Sequence, residues 1–330
     1  MAASDGVRGM MQDFHQVQFF TVEPDFAGQR VDNFLLARLK GLPKSRLYRL
    51  LRKGEVRVNK GRVKPEYKLA AGDLVRVPPI RLAQAGDQVP IGSALADKLE
   101  QAILYEDEWL MAVNKPPGLA VHGGSGVQLG LIEGLRQMRP DCRFLELVHR
   151  LDRETSGVIL VAKKRTALKH LQAQFREKSE NLSLKGVLKT YLALVDGQWP
   201  LEKSRIDAPL LRTELPNGDR LVKVSDEGKP SRTEFSVVQV LRGATLVQAR
   251  PVTGRTHQIR VHARIAGCPL LGDEKYGIDS VNSRLKPLGL KRLCLHAAEL
   301  VFKHPESDSV QTLIAPLPVD MQQLVEALCC

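Results

Sequence analysis

Cysteine is scarce in this chain, and it follows no pattern where it occurs. Five cysteines (Cys142, Cys268, Cys294, Cys329 and Cys330) among 330 residues form an odd set without C-x-x-C spacing. That excludes a disulfide framework and a zinc finger, and it points to a reducing cytoplasm. The Cys329-Cys330 end makes no C-a-a-X lipidation signal, because position 327 is alanine. No run approaches the ~18 consecutive apolar residues of a membrane span, so no membrane partner is expected. The opening MAASDGVRGMMQDFHQ lacks the apolar core of a secretory signal and reads as a flexible tail over residues 1–19. Internal repeats, a G-x-G-x-x-G fingerprint and a Walker loop are also missing. The glycines of HGGSG at 122–126 read instead as a tight turn near substrate. His257 and His262 lack an H-E-x-x-H pattern, and on a helix a separation of five turns one side chain about 140° from the other, so no metal site is expected.

Acidic residues are the other shortage. Lys and Arg number 49 against 37 Asp and Glu, a formal net charge of +12, with a pI near 9.6. With 43% hydrophobic and 26% charged residues the chain is otherwise an ordinary globular sequence, long enough for one sizeable core plus a small module. The charge points to an anionic partner, nucleic acid before membrane, and it is concentrated. Between Gly28 and Pro79 fourteen Lys and Arg face four acids. VDNFLLARL predicts one short helix there, and KSRLYRLLRKG predicts a second with Leu47, Leu50 and Leu51 apolar and Gly54 as its C-cap. Lys44, Arg46, Arg49, Arg52 and Lys53 then stay exposed. Strands over 55–58 and 74–77, with a turn at 59–61, add Arg57, Lys60 and Arg62. A solvated basic face is the plain reading of such a run; a phosphate-binding surface is the functional one.

Pro78-Pro79 closes this module, and residues 81–98, small and polar, read as a linker. From residue 99 to 330 strands and helices mix with local hairpins. Helices are expected over VQLGLIEGLRQM and over 166–178, where Leu168, Leu171 and Phe175 share a face. Strands are expected near 102–115 and over 158–161, 188–195, 233–240, 246–249 and 300–302. This pattern argues α+β rather than a doubly wound parallel sheet.

HRLDRETSG at 149–157 holds the most pointed chemistry. Asp152 lies between Arg150 and Arg153 on a loop feeding the apolar strand at 158–161. Nearby arginines favour an ionised carboxylate, which could act as nucleophile or proton acceptor; a carboxylate that merely neutralises its neighbours is the other reading. HRLDRETSG resembles the catalytic motif of the RluA-type pseudouridine synthases. Three further segments resemble the family's motifs in order: NKPPGLAVHGG, KTYLALVDG, and PVTGRTHQIRVHARIAGCPLLGDEKYG from 251 to 277. The basic module resembles an S4-type RNA-binding domain, and together these resemblances span about residues 20 to 320.

The resemblance implies an S4-like module at 20–80 and a pseudouridine synthase domain with a mixed, largely antiparallel sheet at 99–330. It implies isomerisation of uridine in 23S ribosomal RNA, free or in an assembling large subunit, by a monomer without cofactor. An enzyme acting on a stacked base must first flip it out. Asp152 is then the essential carboxylate, its route open between attack on the sugar, attack on the base and proton transfer. Arg150 fills the space the base leaves, Tyr191 stacks on the uracil, Arg255 pairs with Asp152, and Ile259 forms an apolar wall. SENLSLKGVLKTY at 179–191 is a few residues longer than the family pattern, which bears on the loop before Tyr191. Two other readings remain: a non-catalytic rRNA-binding assembly factor, and a glycoside or nucleoside hydrolase, which would call for two carboxylates.

Overall fold

The computed structural model describes residues 16–39, 41–80, 90–123, 129–177, 186–214 and 220–329. Residues 1–15 of the expected tail at 1–19, most of the 122–126 turn, and residues 179–185 of the lengthened segment at 179–191 lie outside these. The end of the expected tail is corrected, because Gln18 and Phe19 begin a strand that pairs with Val77 and Arg76. The chain divides into two compact units, Met1–Val89 and Pro90–Cys330.

The first unit carries β1 (Gln18–Thr21), α1 (Val31–Arg38), α2 (Lys44–Lys53), β2 (Arg57–Val58), β3 (Gly61–Arg62) and β4 (Leu74–Val77). Its sheet runs β1-β4-β2-β3. The leucines of α2 sit three and four apart, so Leu47, Leu50 and Leu51 fall on one stripe and bury against Phe34, Leu35 and Val75. Gly54 ends α2 at φ 69°, its N–H returning to the carbonyls of Leu50 and Leu51, as a left-handed C-cap does. Buried Asp32 joins the helices by accepting the Tyr48 hydroxyl at 2.7 Å while Arg30 neutralises it. With the leucines inward, Lys44, Arg49, Arg52, Lys53, Arg57, Lys60 and Arg62 are exposed and Arg46 is half-buried.

The second unit follows the order α3 (Ser93–Gln101), β5 (Ile103–Glu106), β6 (Leu110–Lys115), α4 (Leu131–Met138), β7 (Glu146–Leu147), β8 (Ser156–Ala162), α5 (Arg165–Arg176) and β9 (Leu188–Asp196). It continues through β10 (Arg205–Asp207), β11 (Leu210–Glu214), β12 (Arg220–Val224), β13 (Arg232–Leu241), β14 (Ala244–Pro251) and α6 (Gln258–Ile265). It closes with α7 (Asp279–Leu285), β15 (Leu295–Lys303), β16 (Val310–Ile314) and α8 (Val319–Cys329). The expected linker is corrected at its second half: Ser93–Gln101 is helical, because Leu99 anchors it, fully buried, against Leu131 and Leu135.

The main sheet runs β10-β13-β14-β9-β15-β8-β6-β5, with β16 on β15 and β7 on β8. Among the described strands only β15 and β8 pair in parallel, so the sheet is mixed and largely antiparallel, as the resemblance implies. Every residue of β8 is buried, which is why it reads as an unbroken apolar run rather than an alternating one. Where β8 begins, Gly157 adopts φ +112°, and a Cβ there would lie 2.2 Å from the Ala297 carbonyl oxygen of β15. A glycine is therefore required for the two strands to meet.

Candidate active site

Three segments converge over the centre of the sheet. The first is the loop before β8. The His149 ring stacks on Phe175 of α5 at 4.4 Å, and its Nε2 accepts the Leu160 N–H at 3.1 Å. Burial pushes this histidine down to about 3, so it is a neutral wedge that sets the loop's start. Asp152 follows in a tight turn closed by the Thr155 N–H on the Asp152 carbonyl, 3.1 Å. Lys115, fully buried at the end of β6, donates to the carbonyls of Pro116, Leu119 and Arg153 at 2.9, 2.9 and 3.0 Å. Burial lowers this amine to about 7, but one acceptor for each N–H of an ammonium favours the charged form. The NKPPG and HRLDR segments are thus tied through one cation. Past the turn, the Ser156 hydroxyl meets His296 Nδ1 at 2.9 Å while His296 Nε2 faces the Ala315 carbonyl at 3.2 Å.

The second segment is β9, where Tyr191 pairs with Ala249 and Ala297. Burial first, and the nearby Asp152 charge second, raise the Tyr191 hydroxyl, so the ring stays neutral. Lys189 projects from the same face two residues earlier and is lowered to about 8 by burial.

The third segment links β14 to α6. Buried Gln258 pins it, accepting from the Thr253 hydroxyl at 2.7 Å and the Arg255 N–H at 3.0 Å while donating to the Arg232 carbonyl and to Thr233. This presents Ile259 to the cleft and directs Arg260 inward. Arg260 forms a two-pronged pair with Asp273, both bonds 2.7 Å, and its remaining nitrogen Nη1 stands 3.9 Å from Asp152 Oδ2. His257 Nε2 lies 3.8 Å from the same oxygen.

The resulting cleft, about 280 Å³, is lined by Arg150, Asp152, Tyr191, Arg255 and Ile259 together. The structure thus brings every one of the expected pocket residues to one place, but it reassigns one role. Arg255 does not pair with Asp152: it is exposed at the cleft's edge, and its Nε donates to the Pro230 carbonyl at 3.3 Å. The arginine facing Asp152 is Arg260. Its position between Ile259 and Val261, in an amphipathic helical run, marked a guanidinium turned inward and in need of a carboxylate. Sequence reasoning also missed Lys115, Lys189, Asp273 and Tyr276, and it set His257 aside. Glu154 is exposed and pairs with Arg153 at 3.5 Å, so it offers no second carboxylate to the cleft.

Known proteins match along the same lines. The family model for RNA pseudouridylate synthase matches residues 109–264, and that for the S4 domain matches residues 29–75. The chain belongs to the RNA pseudouridylate synthase family. Ribosomal large subunit pseudouridine synthase C of Pasteurella multocida (strain Pm70) is 55% identical over 314 residues, 94% of each chain. The protein of that name from Yersinia pestis is 56% identical over 315 residues, 94% of this chain and 96% of its own. Among solved structures, Human RNA Pseudouridylate Synthase Domain Containing 4 is 30% identical, with a TM-score of 0.57 over 71% of this chain and 95% of its own.

Proposed function

We propose that this chain isomerises particular uridines of large-subunit 23S ribosomal RNA to pseudouridine, with Asp152 as the essential carboxylate. The observation that carries the reading is the placement of Asp152 in a cleft beside Arg260, His257 and Tyr191. In this reaction the N1–C1′ bond breaks, the uracil turns, and a C5–C1′ bond forms. The C5 proton leaves and N1 gains one, so product and substrate are isomers and no electrons are exchanged. The carboxylate supplies the nucleophile or proton acceptor. Tyr191 offers a flat neutral ring for the flipped uracil, Ile259 an apolar wall, and exposed Arg150 a guanidinium plane able to stack where the base was. Arg260, held by Asp273, is the fixed counter-charge of Asp152.

The basic module serves as the RNA anchor: its exposed lysines and arginines suit phosphates rather than base edges. The reading takes a monomer acting on ribosomal RNA in the cytoplasm. Among the described residues no helix is long and apolar enough to cross a membrane. The test is Asp152→Asn on unmodified 23S RNA carrying tritium at uridine C5. The variant should bind RNA as the wild type does and release no tritium above background; appreciable turnover would refute the role of Asp152.

A further inference from the structure

His257 is the residue of this cleft whose geometry is least explained by folding alone. It is not a glycine, yet its backbone sits in the left-handed region at φ 54°, ψ 20°, directly before α6. Such a conformation is uncommon outside glycine and asparagine, and at a site it marks a side chain held in place. What holds it is Tyr276. The Tyr276 oxygen lies 2.7 Å from His257 Nδ1 and accepts the Val222 N–H of β12 at 2.9 Å.

The direction of this chain of bonds follows from counting protons. Tyr276 is buried, and its oxygen already accepts the Val222 amide. Its one O–H therefore has Nδ1 as acceptor; the reverse arrangement would leave a buried hydroxyl proton with no partner. With Nδ1 accepting, a neutral imidazole carries its proton on Nε2, which faces Asp152 Oδ2. The charged groups around the ring compete: burial, Arg260 and Lys275 lower its affinity for a proton, and Asp152 and Asp273 raise it, with a net lowering. Oδ2 is also the oxygen that Arg260 approaches. Among the described residues neither carboxylate oxygen of Asp152 accepts a hydrogen bond, but both nearest donors, His257 Nε2 at 3.8 Å and Arg260 Nη1 at 3.9 Å, face Oδ2 rather than Oδ1.

We propose that His257 is a positioning residue: a neutral imidazole whose Nε2–H, fixed by Tyr276 and the Val222 amide, is aimed at Oδ2 from beside Arg260, poised to bond that oxygen when the site tightens on its substrate and so to leave Oδ1 for the reaction. This rests on the uridine isomerase reading above. It divides the labour between the two neighbours of Asp152. Arg260 supplies charge, and His257 supplies direction without adding a second cation that would draw the carboxylate away from the substrate.

The test is a double-mutant cycle on full-length protein, with tritium release giving kcat and KM separately. His257→Leu should lower kcat by about ten- to a hundredfold, the scale of a carboxylate misplaced by ~1 Å, with KM within twofold. His257→Gln, which returns an N–H donor near the Nε2 position, should recover part of that loss. Tyr276→Phe should lower kcat less, and adding it to His257→Leu should cost nothing further, because its effect passes through the imidazole. Thermal unfolding of each variant separates these effects from loss of fold. A His257→Leu kcat within threefold of wild type, a Gln variant no better than Leu, or multiplicative effects in the double variant would each overturn the proposal. An inactive wild type would instead overturn the isomerase reading itself.

Discussion

Asp273→Asn should destabilise the second unit by about 3–5 kcal/mol, the usual cost of removing one partner from a buried ion pair. Asp273 is 1% exposed and accepts four bonds: Arg260 Nε and Nη2 at 2.7 Å each, and the backbone N–H groups of Lys275 and Tyr276 at 2.9 and 3.0 Å. Burial alone would raise this carboxyl; the Arg260 fork outweighs it and holds the group below its ordinary value. Asparagine has nearly the same shape and keeps one oxygen for the two amides, but it sets an NH2 against the Nε–H of Arg260. The guanidinium, its side chain 10% exposed, then keeps, among the described residues, only Asp152, 3.9 Å away, as counter-charge. For charges about 4 Å apart at an effective dielectric near 20, the attraction removed is ~4 kcal/mol, in line with the first figure. For a unit of this size the loss corresponds to a fall in Tm of roughly 6–20 °C. Tryptophan fluorescence reads it cleanly, because the chain's two tryptophans, Trp109 and Trp199, both lie in the second unit. A Tm within about 2 °C of wild type would refute the reasoning, since the Arg260 charge would then be compensated without Asp273.

Arg255→Ala should cost at most a few-fold in activity, whereas Arg260→Lys should lower kcat by about a hundredfold, because an ammonium cannot hold Asp273 and face Asp152 at once; parity of the two in single-turnover assays would contradict the assignment. Stability should fall as pH is lowered from about 6.5. His149 and His296 are held down to about 3 and about 4 by burial, so the unfolded chain takes up protons there that the fold refuses, at about 1.4 kcal/mol per pH unit for each. Urea midpoints unchanged between pH 6.5 and 5 would count against those burials. Replacing Lys44, Arg49 and Arg52 together by glutamine should lower the log–log salt slope of RNA binding by about 0.7–0.9 for each phosphate that is no longer neutralised; an unchanged slope would make the module's charge a solvated face.

What could be read without coordinates was decided by how local the cause is. The α2 helix, its leucine stripe and the Gly54 cap are set within a dozen residues, and the sequence pattern placed all three. The buried strand β8 was legible as an apolar run between a charged loop and a helix. β15 was expected only at 300–302, because its first residues, Leu295 to Ala297, include a polar histidine whose burial depends on Ser156 and Ala315. The Arg255 assignment failed for a related reason. Both arginines of GRTHQIR are equally basic on paper, and only the bend at His257 turns one out to Pro230 and the other in to Asp273. The first part of α3, 93–98, read as linker because the side chain that anchors it, Leu99, follows it and has its partners Leu131 and Leu135 more than thirty residues on.

The parallel pairing of β8 with β15 has a consequence for how the protein is made. Ser156, four residues past Asp152, meets a histidine 140 residues further along the chain, and Gly157 lies against Ala297. During synthesis the strand that follows the Asp152 loop gains β6 on one side and β7 at the far end of the other early, but its first residues, Ser156 and Gly157, stay open on that other side until β15 is delivered. Long-range pairings of this kind form last. A nascent or prematurely terminated chain can therefore hold Asp152, Tyr191, His257 and Arg260 and still lack the wall against which their loop is set. Activity is thus expected only once residues 295–303 have joined the chain, however complete the set of cleft side chains before them.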